Sequence, residues 1–189
     1  MRVLIACEFS GVVREAFRTK GHDAWSCDLL PTEISGQHIQ DDVLRHLGDG
    51  WDMMIAHPPC TYLSRAAAHL WKTREAEAIS AAAFVLQLYN APISKVAIEN
   101  PVGRLNKLWR YPDQVIQPSY FGEHYKKATC LWLKNLPPLM ATYIDPDPMC
   151  YVNSSNAIRQ RVANGPAHNQ KDRSRTFKGI GQAMAEQWG

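Results

Sequence analysis

A cysteine that could act as a nucleophile ends an apolar segment at residues 52–60, which reads DMMIAHPPC. The apolar residues predict a buried strand, and Pro58 and Pro59 end it, so we expect Cys60 on a stiff loop at the strand's carboxyl end. α/β proteins place their reactive groups at this end of their strands. The alternative is that Cys60 is a small buried hydrophobic residue, as most free cysteines are. The two prolines favour the reactive thiol, because they indicate a shaped loop and not continued core.

Other polar or special residues also follow predicted strands, and they are Glu8–Gly11, Asp28, Asp42 and Glu99–Pro101. Because the carboxyl ends of parallel strands share one edge of a sheet, we expect these residues to line one cleft. An acid after the second strand is well placed to accept hydrogen bonds from ribose hydroxyls. The first turn, EFSGVV, has one glycine and does not match the G-x-G-x-x-G fingerprint, and the P-loop pattern is absent. The sequence therefore predicts a nucleoside cofactor without a diphosphate.

The elements that must position these residues alternate between strands and helices. Residues 2–7 predict a strand, residues 10–21 predict a helix that Ser10 caps and Gly21 ends, and residues 23–28 predict a second strand. A β-α-β unit of this kind builds a parallel sheet. The other predicted elements are a short strand before Asp41, strands at 52–60, 95–101, 114–118 and 128–134, and helices at 74–90 and 177–188. The Pro-, Asn-, Asp- and Ser-rich residues 135–172 predict a loop region.

Composition limits the classes of protein. The 189 residues, 46% of them hydrophobic, suffice for one compact domain that covers residues 1–189. The five cysteines form no CxxC pair, which argues against a disulfide framework and a standard zinc site. Every apolar run is far shorter than the ~20 residues of a membrane span. We therefore expect a cytoplasmic protein that does not bind membranes.

Positive charge is concentrated near the carboxyl end. Residues 151–189 hold six Lys or Arg residues and two acids, whereas residues 1–150 are nearly neutral. Clustered basic side chains suggest contact with a polyanion such as nucleic acid, although a solvated surface segment fits the charge equally well. The arginines expected to bind nucleic acid are Arg159, Arg161, Arg173 and Arg175.

Seven features carry a resemblance to a known enzyme family, and they are EFSG (8–11) with its helix, Asp28, Asp42, PPCTYLS (58–64), ENP (99–101), FGEHYKKATCLWL (121–133) and IGQAM (180–184). They occur in the order found in the DNA cytosine-C5 methyltransferases. The chain resembles this family over nearly its whole length, and it looks most like the short forms encoded by bacteriophages and prophages. The resemblance implies a Rossmann-like α/β sandwich that uses S-adenosylmethionine, with a mostly parallel seven-stranded sheet and helices on both faces.

The resemblance also implies a reaction, methyl transfer to carbon 5 of cytosine in DNA. The thiolate of Cys60 would add to carbon 6 while Glu99 holds and protonates ring nitrogen N3, so that carbon 5 becomes nucleophilic enough to take the methyl group. Loss of the proton on carbon 5 then expels the cysteine. General acid assistance is worth about 10² to 10⁴ in rate, so Cys60 alone would not suffice. A cytosine in duplex DNA must flip out of the stack to reach the pocket.

Further roles are implied residue by residue. Phe9, Ser10 and Gly11 would border the methionine part of the cofactor, Asp28 its ribose, Asp42 its adenine amino group, and Pro58 the space between cofactor and base. Asn100 would brace the loop that carries Glu99. Lys127 aligns with the first arginine of the family's Q-x-R-x-R element, although it also fits an ordinary hairpin lysine. Gly181 and Gln182 align with the glycine-asparagine pair of the last motif.

The chain departs from the family pattern at several places. The turn F-x-G-x-G keeps one glycine, Glu-Asn-Val is Glu-Asn-Pro, Thr129 stands at the second arginine of Q-x-R-x-R, and Gln182 replaces asparagine. A large target-recognition domain is missing, and a loop-rich basic segment at about 135–175 takes its place. Sequence specificity is the property that these departures affect most.

Two classes of function follow from these observations. The first is the C5 methyltransferase, with a variant that transfers another group or acts on a nucleotide. The second is a non-catalytic binding module that keeps the fold to bind nucleic acid or a host protein, as a restriction-evasion factor would. A metal site at Cys150 and His168 is a lesser alternative, because its spacing matches no zinc pattern.

Overall fold

The computed structural model describes residues 1–150 and 174–189. Its strands are β1 (Arg2–Ala6), β2 (Asp23–Asp28), β3 (His38–Gln40), β4 (Met53–Ala56), β5 (Lys95–Pro101), β6 (Gln114–Ile116), β7 (Tyr125–Lys126), β8 (Thr129–Lys134) and β9 (Met149–Cys150). Its α-helices are α1 (Val12–Thr19), α2 (Glu75–Tyr89), α3 (Leu105–Leu108) and α4 (Lys178–Trp188). Every predicted strand and helix is present in the predicted order, whereas α3, β7 and β9 were not predicted.

Seven strands form one sheet in the order β3-β2-β1-β4-β5-β8-β6. The first five are parallel, and β8 runs antiparallel to both of its neighbours, β5 and β6. The mostly parallel seven-stranded sheet is therefore confirmed. Strands β7 and β9 form a separate parallel pair. Ala6 of β1 pairs with Ala56 of β4, which pairs with Ile98 of β5, so β1 and β4 end at one level and β5 continues beyond it to Pro101.

Helices cover both faces of the sheet, because its central strands are apolar on both sides. On one face Val3 and Ile5 of β1 belong to a core with α1 and α4. On the other face Leu4 and Ala6 belong to a core with α2 and α3. This α/β/α sandwich is the fold class that the sequence predicts.

The start of α1 differs from the prediction, which placed the cap at Ser10. The helix begins at Val12 after Gly11, which has a φ of 75°, and no side chain of the N-cap residue accepts a hydrogen bond. The carboxyl group of Glu8 supplies most of the cap, accepting from the backbone N–H groups of Val13 (2.7 Å) and Arg14 (3.2 Å). The Ser10 hydroxyl accepts from the Val12 N–H (3.4 Å) and donates to the Glu8 carboxyl group. Glu8 therefore satisfies two of the free N–H groups at the start of the helix, and Ser10 adds a third, longer bond.

Arg14 of α1 is a fully buried arginine. Its guanidinium donates to acceptors on α1, on β2 and on the loop after β2, and these are the Oε1 of Glu15, the hydroxyls of Ser26 and Thr32, and the carbonyls of Ile34 and Gln37. A buried guanidinium needs such partners, because an unpaired charge in the core is costly. Arg14 thereby fastens residues 29–37, which follow β2, to α1.

The expected loop at 135–172 lies only partly within the described residues, where 135–150 hold the short strand β9. None of the helices in the described parts of the chain has the length and hydrophobicity of a transmembrane segment.

Candidate active site

The carboxyl ends of β1, β2, β4 and β5 meet at one edge of the sheet. The N–H of His57, just after β4, donates to the Ala6 carbonyl at the end of β1 (2.9 Å), and the Glu8 N–H donates to the Cys27 carbonyl of β2 (3.2 Å). Glu99 lies near the end of β5, beside β4 in the sheet. The strand ends therefore converge, and they bring Glu8, His57 and Glu99 together.

Glu99 is paired with His57. Oε2 of Glu99 lies 2.9 Å from Nδ1 of His57, and the two side chains are 17% and 7% exposed. Burial by itself raises the pKa of Glu99, but the hydrogen bond and charge of His57, together with the charge of Lys127, hold that pKa below its ordinary value. Glu99 is thus a carboxylate at neutral pH. A carboxylate only accepts hydrogen bonds, so Nδ1 of His57 carries the proton between them.

Lys127 lies between β7 and β8, close enough for its charge to lower the pKa of Glu99. Its ammonium is 5.7 Å from the centre of the Phe177 ring. The Thr129 hydroxyl donates to the Lys127 carbonyl (2.9 Å), and Thr129 is buried in β8. The structure therefore brings Lys127 close to Glu99 and buries Thr129.

The turn that carries Cys60 is partly exposed and internally bonded. The N–H groups of Leu63 and Ser64 donate to the Cys60 carbonyl (3.0 and 2.9 Å). The side-chain amide of Asn100 donates to the Pro58 carbonyl (2.8 Å). Asn100 therefore braces the loop of Cys60 against the strand of Glu99.

The same loop is docked on the chain that follows β5. The N–H of Arg104 donates to the Leu63 carbonyl (2.7 Å), and the N–H of Arg65 donates to the Val102 carbonyl (3.1 Å). A Cβ atom on Gly103 would lie 1.9 Å from the Leu63 carbonyl oxygen. Only glycine permits this close approach, so the loop of Cys60 and the segment after Glu99 form one packed unit.

Three other described cysteines are poor nucleophiles. Burial raises the pKa of Cys7, and it raises the pKa of Cys27 and of Cys130 to about 11 in each case. The charge of Glu99 also contributes at Cys130. Since the thiolate is the reactive form, these thiols are inert near neutral pH. Cys60, in contrast, lies partly exposed on a loop.

Residues on the β1 side line a narrow cleft with room for about one water molecule. Its walls are Cys7, Glu8, Phe9, Ser10, His57, Ser174 and Thr176. The structure thus places Phe9 and Ser10 in the cleft, while Gly11 lies against the guanidinium of Arg14. The cleft reaches from the predicted cofactor turn to the partner of Glu99.

The two predicted cofactor acids lie at the ends of neighbouring strands. One oxygen of Asp28 accepts from the Leu30 N–H (2.9 Å), and Leu29 and Leu30 are 72% and 50% exposed. Asp42 is exposed, and it caps the short 3₁₀ helix at Val43–Arg45 by accepting from the Leu44 N–H (3.0 Å). Asp28 therefore lies next to an exposed apolar surface, whereas one carboxylate oxygen of Asp42 is already used to cap the 3₁₀ helix.

Gly181 and Gln182 belong to the first turns of α4. A Cβ atom on Gly181 would lie 3.5 Å from Cα of Val13, so this glycine lets α4 pack against α1. Gln182 is exposed. Neither is among the residues that line the cleft.

Three of the four predicted nucleic-acid-binding arginines, Arg159, Arg161 and Arg173, lie outside the described residues, as does His168 of the metal alternative. Arg175 forms a two-pronged ion pair with Glu33, with both nitrogen–oxygen distances at 2.8 Å. This pair links the segment before α4 to the loop after β2. Within the described residues, no three His, Cys, Asp or Glu side chains are placed to hold a metal ion.

The sequence did not indicate His57 as a site residue, nor the role of Glu8 at the start of α1. Glu8 was expected at the cleft but not as the cap of α1, and His57 was taken only as part of the strand before the prolines. The one available signal was position, because His57 is the first polar residue after a fully apolar strand.

No protein-family model matches the sequence, and no curated protein does. Among solved structures, the chain is similar to a prophage protein of E. coli that is assigned as a DNA modification methyltransferase, with 16% identity and a TM-score of 0.50 over 79% of this chain. The fold is that of the methyltransferases. A mutant of Spodoptera frugiperda DNMT2 also matches, at 13% identity and a TM-score of 0.44, over 78% of this chain and 56% of that one. The chain spans about half of the E. coli structure, 53% of its length.

Proposed function

We propose that the protein transfers a methyl group from S-adenosylmethionine to carbon 5 of cytosine in DNA, through a covalent adduct on Cys60. The observation that carries this proposal is the joint placement of a thiol and a carboxylate. Asn100 and Gly103 bind the loop of Cys60 to the strand of Glu99, so both groups are held at one edge of the sheet. A scaffold without chemistry has no need of this pairing.

The residues of the chain account for the steps at the base. Cys60 attacks carbon 6, forming a carbon–sulfur bond, while Glu99 holds N3 and places a proton on it. Lys127 stabilises the ionised Glu99. S-Adenosylmethionine, when bound, supplies the methyl group as an electrophile. Loss of the proton on carbon 5 then breaks the carbon–sulfur bond and regenerates Cys60.

The edge at β1 and β2 fits this cofactor in part. The Asp28 carboxylate suits ribose hydroxyls, the exposed Leu29 and Leu30 offer an apolar surface to an adenine ring, and Phe9 lines the cleft beside them. Asp42 is proposed to meet the adenine amino group. The N–H groups that start α1 are already used by Glu8, so the carboxylate of the cofactor must find other donors.

DNA is the proposed substrate, with its phosphates held by Arg159, Arg161, Arg173 and Arg175. Basic side chains supply most of the sequence-independent affinity for DNA. Arg175 is engaged with Glu33, so a phosphate would have to compete with that carboxylate. A flipped cytosine would enter between Cys60 and the cleft.

The test is transfer of label from S-adenosylmethionine to duplex and single-stranded DNA, with mass spectrometry of the product nucleosides. We expect 5-methylcytosine from the wild-type protein and from Thr61→Ala, a change at an exposed neighbour of Cys60, and no product from Cys60→Ala. Wild-type protein that labels neither DNA contradicts the proposal, as does Cys60→Ala that retains transfer. The mass of the product also distinguishes a methyl group from another group.

A second candidate is a non-catalytic module that binds nucleic acid or a host protein. The observation that favours it is the self-capped start of α1 beside a cleft no larger than a water molecule. Calorimetry with S-adenosylmethionine separates the two functions, because a binding module of this kind would show no uptake of the cofactor.

A further inference from the structure

His57 is a buried imidazole between two acidic side chains. Nδ1 faces Glu99, and the side chain is 7% exposed. On its other side His57 is close to Glu8, whose pKa burial raises above its ordinary value and the charge of His57 only partly lowers again. Nε2 of His57 is buried and has no hydrogen-bond partner among the described residues. The hydrogen bond at Nδ1 therefore fixes the orientation of the imidazole, while Nε2 makes no hydrogen bond to a described residue.

The groups close to this imidazole come from three segments of the chain. Glu8 lies on the turn after β1, Glu99 lies on β5, and the Thr176 hydroxyl lies 3.4 Å from Nδ1 on the segment before α4. The positive charge of Lys127 also acts on Glu99. The imidazole therefore lies between two acidic side chains, one of which is close to an ammonium group.

The proposed reaction asks Glu99 to act as an acid, yet His57 and Lys127 keep it ionised. A carboxylate has no proton to give, so the proton that reaches N3 must come from elsewhere. An imidazole is the side chain that gains and loses protons near neutral pH. His57 already presents its Nδ1 proton to Glu99 Oε2, at 2.9 Å.

We propose that His57 is the positioning residue of Glu99, fixing its Oε2 so that the other oxygen faces the base, and supplying the proton that Glu99 delivers to N3. This inference rests on the proposed function. His57 starts this step protonated on both nitrogens. When the Cys60 thiolate adds to carbon 6, the Nδ1 proton passes to Glu99 and a proton passes from Glu99 to N3, which leaves a neutral imidazole. When carbon 5 loses its proton to solvent and the carbon–sulfur bond breaks, the N3 proton returns to His57 by the same route.

Two variants test this role. His57→Asn keeps an N–H donor near the position of Nδ1 but cannot gain or lose a proton. His57→Leu removes both the donor and the titratable group. We expect kcat for methyl transfer to fall about 10²-fold in each, the lower end of the range for general acids, with little change in the KM for DNA in His57→Asn. We also expect the fall in wild-type activity at alkaline pH to disappear in His57→Asn. His124→Asn, which alters another histidine-carboxylate pair with Asp145, should leave kcat and the pH profile unchanged.

A second measurement needs no substrate. In protein with ¹³C-labelled glutamate carboxyls, the Glu99 signal is identified by its loss in Glu99→Gln. We expect it to titrate at higher pH in His57→Leu than in wild type, with His57→Asn in between. An unchanged titration in folded His57→Leu overturns the pairing.

The two measurements separate the inference from the proposed function. If the titration moves and wild-type protein transfers methyl groups, but His57→Asn keeps the wild-type kcat and pH profile, the proton supply is overturned and the proposed function stands. If the titration moves but wild-type protein transfers nothing, the proposed function fails, and the proton supply to N3 fails with it.

Discussion

The two halves of the sheet edge are built differently. On the side of β4 and β5, Cys60 and Glu99 are held by hydrogen bonds and a close backbone contact that cross between the strands. On the side of β1 to β3, Glu8 satisfies the start of α1, and Asp28 lies at the surface with exposed leucines. On the side of β4 and β5, called here the base side, contacts within the chain hold the groups proposed to act on the base. On the side of β1 to β3, called here the cofactor side, the backbone N–H groups of Val13 and Arg14 already donate to Glu8.

This difference teaches where binding energy is needed. The entropy of ordering Cys60 and Glu99 is lost when the protein folds, so the chemistry at the base needs little rearrangement. The cofactor side must open its narrow cleft, and affinity there depends on Asp28 and on apolar contact. Changes on the base side should therefore alter catalysis, and changes on the cofactor side should alter affinity.

The largest expected effect is that of Glu99→Gln. Loss of the acid should lower kcat for methyl transfer by about 10² to 10⁴ while calorimetry shows the same affinity for S-adenosylmethionine. Glu77→Gln, at an exposed ion pair with Arg74, is the control. Equal losses of cofactor affinity and kcat in Glu99→Gln would contradict the expectation that changes on the base side alter catalysis alone.

Next comes Gly103→Ala, which pushes a methyl group into the Leu63 carbonyl. Overpacking of this kind should lower the free energy of unfolding in urea by about 1–3 kcal/mol and displace the loop of Cys60. Gly48→Ala is the matched control, because a Cβ there meets nothing within 4 Å. The same loss of stability in both variants would show that the contact is not specific.

On the cofactor side, Asp28→Asn should weaken S-adenosylmethionine binding about tenfold, the equivalent of one hydrogen bond to a charged group. The kcat at saturating cofactor should stay near the wild-type value. Asp52→Asn, at the opposite edge of the sheet beside Arg2, serves as the comparison. A lowered kcat with unchanged affinity for S-adenosylmethionine would show that Asp28 contributes to the reaction and not to cofactor binding.

The smallest effect concerns acid stability. The pKa of Glu99 in the folded protein lies below its ordinary value, so the ionised form stabilises the fold. That contribution is complete above the unfolded value of about 4.3 and is lost as pH falls through the lower folded-state pKa. Urea unfolding at several pH values should show the stability advantage of wild type over Glu99→Gln shrinking in acid. A constant difference across the series would contradict the pairing with His57.

The sequence predicted the fold well because the signals for it are local. The strand at 95–101 was predicted with the bounds that β5 has, since an apolar run ended by proline needs no distant information. The strand ends then brought Glu8, Asp28 and Glu99 to one edge by topology alone. Periodicity and strand order therefore carry most of the architecture.

Side-chain pairing could not be predicted in the same way. Ser10 caps α1 only through a 3.4 Å bond to the Val12 N–H, because the buried Glu8 accepts from the next two N–H groups. His57 meets Glu99 across 42 residues of sequence, through the alignment of β4 with β5. A single histidine after a strand gives no sign of such a partner.

The buried guanidinium of Arg14 has a consequence for motion. Residues 29–37, which include the exposed leucines beside Asp28, cannot lift away without leaving that charge unpaired inside the protein. The Glu33 amide, which donates to the Phe9 carbonyl (2.9 Å), should therefore exchange its hydrogen with solvent more slowly than the exposed amides around it. The ion pair of Arg175 with Glu33 fastens Ser174 and Thr176, which line the cleft, to this same segment.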